Sequence, residues 1–103
     1  MQWRIGRLVT TSLTYGVSKG AVNSFTIGLS QELATEGIRV NTVSPGITKT
    51  DMPSPDRLAA LAERVPMGRA GEANEIAEAI LWLLSDKASY VAGANIRVSG
   101  GRP

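Results

Sequence analysis

The apolar positions of this chain change period several times, and each change marks an element. "GRLVTTS" at 6–12 is rich in Leu, Val and Thr, which favour strands, and it predicts a strand there. Val22, Phe25, Leu29 and Leu33 then recur at spacings of three and four. That places them on one face of a helix over about 15–36. Gly37 follows directly and supplies a left-handed stop. "IRVNTVS" predicts a second strand over about 38–44, which Pro45-Gly46 ends. Strand, helix and strand in this order form a βαβ unit, whose two strands run parallel.

The second half repeats the logic with shorter pieces. Ser54 is a good N-cap and Pro55 suits the first helical position, so a short helix runs over about 55–65. Leu58, Leu61, Ala62 and Val65 form its apolar stripe, and Pro66 stops it. A longer helix covers about 72–85, with Ile76, Ile80, Leu81 and Leu84 as its buried face. Glu72, Glu75 and Glu78 stand in its first turns and read as a solvated face, with those nearest the start favoured by the helix dipole. "ANIRVS" predicts a last strand over about 94–99, and "GGRP" reads as a loose tail. Asn41 reads as a group that orders a turn or a neighbouring loop. Trp82 reads as core or subunit contact.

Composition narrows the chemistry. The 103 residues suffice for one domain with a modest core. A formal charge of +2 with scattered basic residues argues against a nucleic-acid surface. There is no cysteine, so disulfides and thiolate chemistry are out, and no histidine, the commonest general base and metal ligand. Ser18 and Ser44 therefore lack the base that a serine hydrolase needs. The longest apolar run, "AILWLL", is far too short to span a bilayer, and "MQWRIGRL" lacks a signal-peptide core. A cytoplasmic protein without membrane contact is the expectation.

One pair carries candidate chemistry. In "TYGVSKG", Tyr15 and Lys19 are four residues apart, hence about 5–6 Å between Cβ atoms on one helix face. A lysine ammonium at that distance favours the phenolate and draws the tyrosine pKa down from about 10. A tyrosine so tuned exchanges protons with a substrate oxygen. Taken alone, the same spacing also describes a solvated helix surface.

The surrounding residues decide between these readings. "YGVSKGAVNSFTIGLSQELATEGIRVNTVSPG", then "TKTDM", then "PMGRAGEANEIAEAILWLLSDKASYVAGANIRVSGG" together resemble the short-chain dehydrogenase/reductase family over about 6–101. The resemblance implies an α/β fold, the C-terminal part of a Rossmann-like parallel sheet with the N-terminal half missing. It implies an NAD(P)(H)-dependent oxidoreductase in which Tyr15 is the acid/base, and Lys19 tunes it and hydrogen-bonds the nicotinamide ribose. Pro45, Gly46, Thr48 and Thr50 match the segment that holds the nicotinamide. The 55–65 helix matches the family's variable lid. The implied cofactor is NAD or NADP, and the substrate is a small carbonyl or alcohol. The family's interface helices also imply a homo-oligomer, or association with a longer homologue.

The chain departs from the family pattern in two places. No glycine-rich turn of the pyrophosphate-binding kind precedes a helix. The strand "GRLVTTSL" also runs almost directly into "TYGVSK", where the family has a loop and, before it, the catalytic serine. Ser12 matches the first serine of the family's pair, Leu13 stands where the catalytic one is expected, and counting back from Tyr15 reaches Gln2. Ser12 is the nearest substitute. Losing the pyrophosphate cradle removes the main electrostatic hold on a dinucleotide. Losing a carbonyl-facing donor costs a factor of about 10² or more in rate. The chain by itself is expected to be a poor catalyst, and a non-enzymatic remnant or oligomerisation module is the alternative.

Overall fold

The computed structural model describes residues 7–11, 17–49 and 54–102, and for 7–11 and 17–19 the backbone alone. Strand β1 (Arg7–Thr11) leads to helix α1 (Val17–Leu33), which closes in a 3-10 turn, Ala34–Glu36, and reverses at Gly37. Strand β2 (Arg39–Pro45), helix α2 (Pro55–Ala62), helix α3 (Ala73–Leu84), a second 3-10 turn at Asp86–Ala88 and strand β3 (Asn95–Val98) follow. The three strands form one parallel sheet in the order β1-β2-β3. Arg7 to Thr11 lie opposite Arg39 to Val43, and Thr42 to Pro45 lie opposite Asn95 to Val98.

β2 is the central strand, and its alternation serves both faces of the sheet. Val43 packs with Leu83 of α3 and with Ala88, flanked by Ile76, Ile80, Val91, Ile96 and Val98. Its neighbour Thr42 points the other way, to α1. Thr26 donates its only hydroxyl proton to the Val22 carbonyl at 2.7 Å, so Thr42 is the donor in the 2.6 Å bond between the two threonines.

Two helices present different faces to the core than their apolar periodicity suggests. Among the described side chains of α1 the buried ones are Thr26 and Ser30, while Phe25 is 63% exposed. The sheet face opposite α1 carries hydroxyls, so the polar stripe turns inward and the phenyl ring outward. On α3 the buried stripe runs through Ile76, Ile80 and Leu83. Leu81 lies one position off it and is 59% exposed. α2 has no buried residue. Its start is capped by Ser54, which accepts from the Arg57 N–H at 3.2 Å. Val65, just beyond it, is buried.

The connection from α3 to β3 is held by side chains of β2. Arg39 donates through Nη1 to the carbonyls of Leu83 and Ala88, each at 2.8 Å, and through Nη2 to Ser85 at 3.2 Å. The Leu83 carbonyl lies in the last turn of α3, where carbonyls lack a partner within the helix; those of Ser85 and Ala88 also accept the N–H groups of Ala88 and Val91, at 3.2 and 2.9 Å. Two residues on, Asn41 donates to the Val91 carbonyl at 2.9 Å and accepts from the Ala94 N–H at 3.0 Å. Asn41 thus orders the loop that leads into β3.

The closing Gly-Gly is packed and not loose. Gly100 has a φ of 65°, and a Cβ there would stand 2.6 Å from Val65 Cγ1. Its carbonyl accepts from the Met67 N–H at 3.0 Å, so the tail lies along the 65–67 turn.

Replacing Arg39 by Met keeps the aliphatic part of the side chain and removes the donors. Losing these charge-assisted bonds, with the Leu83 carbonyl left without its donor, costs about 1.5–3 kcal/mol. Urea denaturation of wild type and Arg39→Met measures it, and a difference below about 0.5 kcal/mol refutes the role given to the guanidinium.

Candidate active-site segment

β2 ends in the segment Pro45–Gly46–Ile47–Thr48, at the carboxyl end of a parallel strand. Ligands of open α/β sheets bind at such ends. The segment is fixed on both sides. The Gly46 N–H donates to the Val98 carbonyl at 2.9 Å, tying it to β3. Beyond it, Thr48 forms a parallel bridge with Gly71: the Gly71 N–H donates to Ile47, and the Lys49 N–H to Gly71, both at 2.8 Å. The Thr48 hydroxyl donates to the Gly46 carbonyl at 3.0 Å. Its proton is therefore committed, and its oxygen is left to accept.

Glycine at position 46 has a reason within the chain itself. A Cβ there would lie 2.7 Å from both Cα and Cβ of Ser99. The chain just beyond β3 passes so close that no side chain fits.

Charged residues brace the segment from below. Lys49 Nζ lies 2.8 Å from Glu72 Oε1. Arg69 grips Glu75 with two bonds, at 2.8 and 3.0 Å, and Glu75 reaches back to the Glu72 N–H at 2.9 Å. Glu75 is thus a helix-start cap and an ion-pair partner, where the sequence suggested only a solvated face. The hydrogen bond from Arg69, then that from the Glu72 N–H, hold its carboxyl at about 2, below the usual 4.5.

The sequence-predicted site residues divide as follows. Pro45, Gly46 and Thr48 stand together at the end of β2. Lys19 lies in α1, which packs on β2. Ser12, Tyr15 and Thr50 lie outside the described residues. A cavity of about 300 Å³ opens beside the segment, walled by Ile47, Met67, Ile76 and Val98 with Arg69 and Arg97 at its rim, and none of Pro45, Gly46 and Thr48 lines it. Among the described residues no helix is long and apolar enough to cross a membrane, and no cluster of acidic side chains is placed to hold a metal.

This geometry meets a consistent set of relatives. A family model described as enoyl-(acyl carrier protein) reductase matches residues 5–102. The chain belongs to the short-chain dehydrogenase/reductase family. Within the family it is 50% identical over 92 residues to an uncharacterised oxidoreductase of Escherichia coli, YgfF, covering 85% of this chain and 37% of that protein. It is 38% identical over 115 residues to the 3-oxoacyl-[acyl-carrier-protein] reductase FabG of Salmonella typhimurium, covering 98% of this chain and 47% of that one. The crystal structure of a 3-oxoacyl-[acyl-carrier protein] reductase from Brucella melitensis superposes with a TM-score of 0.84 at 35% identity, over 96% of this chain and 42% of that one. The chain thus spans less than half the length of these relatives. The alignment with the Salmonella reductase, at 115 positions, is at least twelve longer than these 103 residues, so this short-chain dehydrogenase/reductase chain lacks residues that the relative has. β1 and α1 are joined by residues 12–16 alone, where the family pattern has a longer loop.

For a nicotinamide dinucleotide the described residues fit one end. The Pro45–Thr48 turn offers a fixed backbone and an accepting hydroxyl, which suit a planar ring with an amide. For the pyrophosphate, the sequence has no glycine-rich turn ahead of a helix.

Two outcomes test the segment. Gly46→Ala must displace backbone at Ser99 and costs about 1–3 kcal/mol, read by urea denaturation; an unchanged midpoint refutes the close approach. The Glu75 carboxyl, depressed when folded, stabilises the chain above about pH 4.5, and that contribution disappears as pH falls towards 2. Melting temperatures of wild type and Glu75→Gln therefore differ at pH 6 and converge by about pH 2. A gap that stays constant over that range shows that the ion pair is not its source.

Proposed function

We propose that this chain carries the proton-transfer and nicotinamide-facing part of an NAD(P)(H)-dependent oxidoreductase that interconverts a carbonyl and an alcohol on a small molecule. The observation that carries the reading is the Pro45–Thr48 segment, fixed at the carboxyl end of the strand on which the Lys19 helix packs. The cofactor, NAD or NADP, supplies or takes up the hydride. Tyr15 gives a proton to the substrate oxygen in reduction and takes it back in oxidation. Lys19 favours the phenolate and would donate to the ribose. Pro45, Gly46 and Thr48 would hold the nicotinamide, the Thr48 oxygen accepting from its carboxamide N–H, and Thr50 is assigned to the same segment by sequence. Ser12 is the candidate substitute for the hydroxyl that donates to the substrate carbonyl. No glycine-rich turn of the pyrophosphate-binding kind is among these 103 residues, so the hold on the cofactor is weak, and the setting is the cytoplasm.

A second reading has its own support. Phe25, Ile27, Leu81 and Trp82 expose large apolar surface on both helices that flank the sheet. In that reading the chain associates with a second copy or with a longer homologue. Light scattering that finds a stable monomer refutes it.

Titration of NADH and NADPH against the chain, followed by nicotinamide fluorescence, tests the first reading. Saturable binding supports it, and absence of binding removes it for this chain. Where turnover is measured, Tyr15→Phe lowers it by at least about 10²-fold and leaves binding within about twofold. Retained turnover takes Tyr15 out of the mechanism.

A further inference from the structure

One hydrogen-bond chain crosses three elements at the candidate site. Ser44, the residue before Pro45, donates its hydroxyl to Asn95 Oδ1 at 2.8 Å. Asn95 donates its amide to Asn23 Oδ1, also at 2.8 Å. Asn95 lies opposite Thr42 on β3, and Asn23 is in α1. Asn23 follows Lys19 by one helical turn, and Lys19 follows Tyr15 by the same interval. The chain therefore runs from the helix that bears Lys19 to the residue that precedes the proposed nicotinamide turn.

We propose that the Ser44–Asn95–Asn23 chain sets the separation between α1 and the Pro45–Gly46 turn, and that Asn95 is a positioning residue for the site between them. The inference rests on the oxidoreductase reading. Backbone bonds fix β3 against β2, but no backbone bond fixes a helix lying across a sheet. Apolar contacts alone let a helix settle in more than one place. Here α1 carries two directional links one turn apart, Asn23 to Asn95 and Thr26 to Thr42. A single link fixes a point, and two fix the slide and rotation of the helix together. Hydrogen bonds weaken steeply once distance or angle departs from ideal, so the placement is narrow. Stability does not demand this arrangement, since replacing both partners of a hydrogen bond by apolar groups of similar shape is nearly neutral. Placement does matter to a reacting site, where a misplacement of about 1 Å costs about 10²-fold.

The test uses NADH binding by the 103-residue chain at a temperature where circular dichroism shows every variant folded. Asn95→Leu removes both links and weakens NADH binding about tenfold. Asn95→Asp keeps both, because Asn23 can turn its amide to donate, and binds within about threefold of wild type. The double variant Asn23→Leu/Asn95→Leu refills the gap with apolar groups. It regains melting temperature without regaining affinity, which a purely structural role does not predict. Recovery of affinity together with stability overturns the proposal, as does unchanged binding in Asn95→Leu while wild type binds. Wild type that binds no NADH removes the oxidoreductase reading, and this inference with it. The three failures are told apart by which of the proteins bind.

Discussion

Arg39 reaches from the central strand into the carbonyls that end α3 and the turn after it, and the placement of β3 follows from that grip. The Leu83 carbonyl sits at the negative end of a helix dipole, and those of Ser85 and Ala88, each holding one backbone N–H, have a second lone pair to offer. A cation with several donors in one plane is well matched to them. Asn41, on the same side of β2, then takes the Val91 carbonyl and the Ala94 N–H, and delivers the chain to β3 with Asn95 opposite Thr42. That register puts the Val98 carbonyl where the Gly46 N–H finds it and sets Ser99 against Gly46. The position of the candidate site is thus a consequence of two polar side chains at the far end of the same strand.

The two faces of the sheet are built on different principles. Towards α3 the contacts are apolar: Val43, Leu83, Ile96 and Val98 exclude water and supply stability without much direction. Towards α1 they are hydroxyls and amides, Thr42 with Thr26 and Ser44 with Asn95 and Asn23. The gain from such bonds is modest, but they admit few geometries. It is the directional face that meets the helix bearing Lys19. The nondirectional face meets α3, whose outer surface carries Leu81 and Trp82.

Hydrophobic periodicity located the helices, because each keeps an apolar stripe at helical spacing. It misassigned Leu81 for the same reason, and the apolar face it found on α1 leaves Phe25 exposed. Both helices have more apolar residues than their contacts with the sheet can use, and spacing alone does not say which stripe turns inward. The inward stripe of α1, Asn23–Thr26–Ser30, has helical spacing too, but it is polar and a search for apolar faces passes over it. The partners of Arg39, Asn41 and Asn95 stand 44 to 72 residues away, so only the folded chain brings them together. Gly46 was legible as a position of close approach. What approaches it in the fold is Ser99.

These dependencies bear on what residues beyond this chain could add. Among the described residues no buried side-chain nitrogen or oxygen lacks a partner. The α1–β2–β3 arrangement closes its polar network internally, and the turn at Pro45–Thr48 is bonded on both sides by β3 and by the segment before α3. A buried group left unpaired would be costly, and would mark a place where another part of the protein must dock for this part to hold its shape. Among the described residues no such mark stands around the turn. The shape of the turn is then set by bonds within the chain, from β3 on one side and from the segment before α3 on the other.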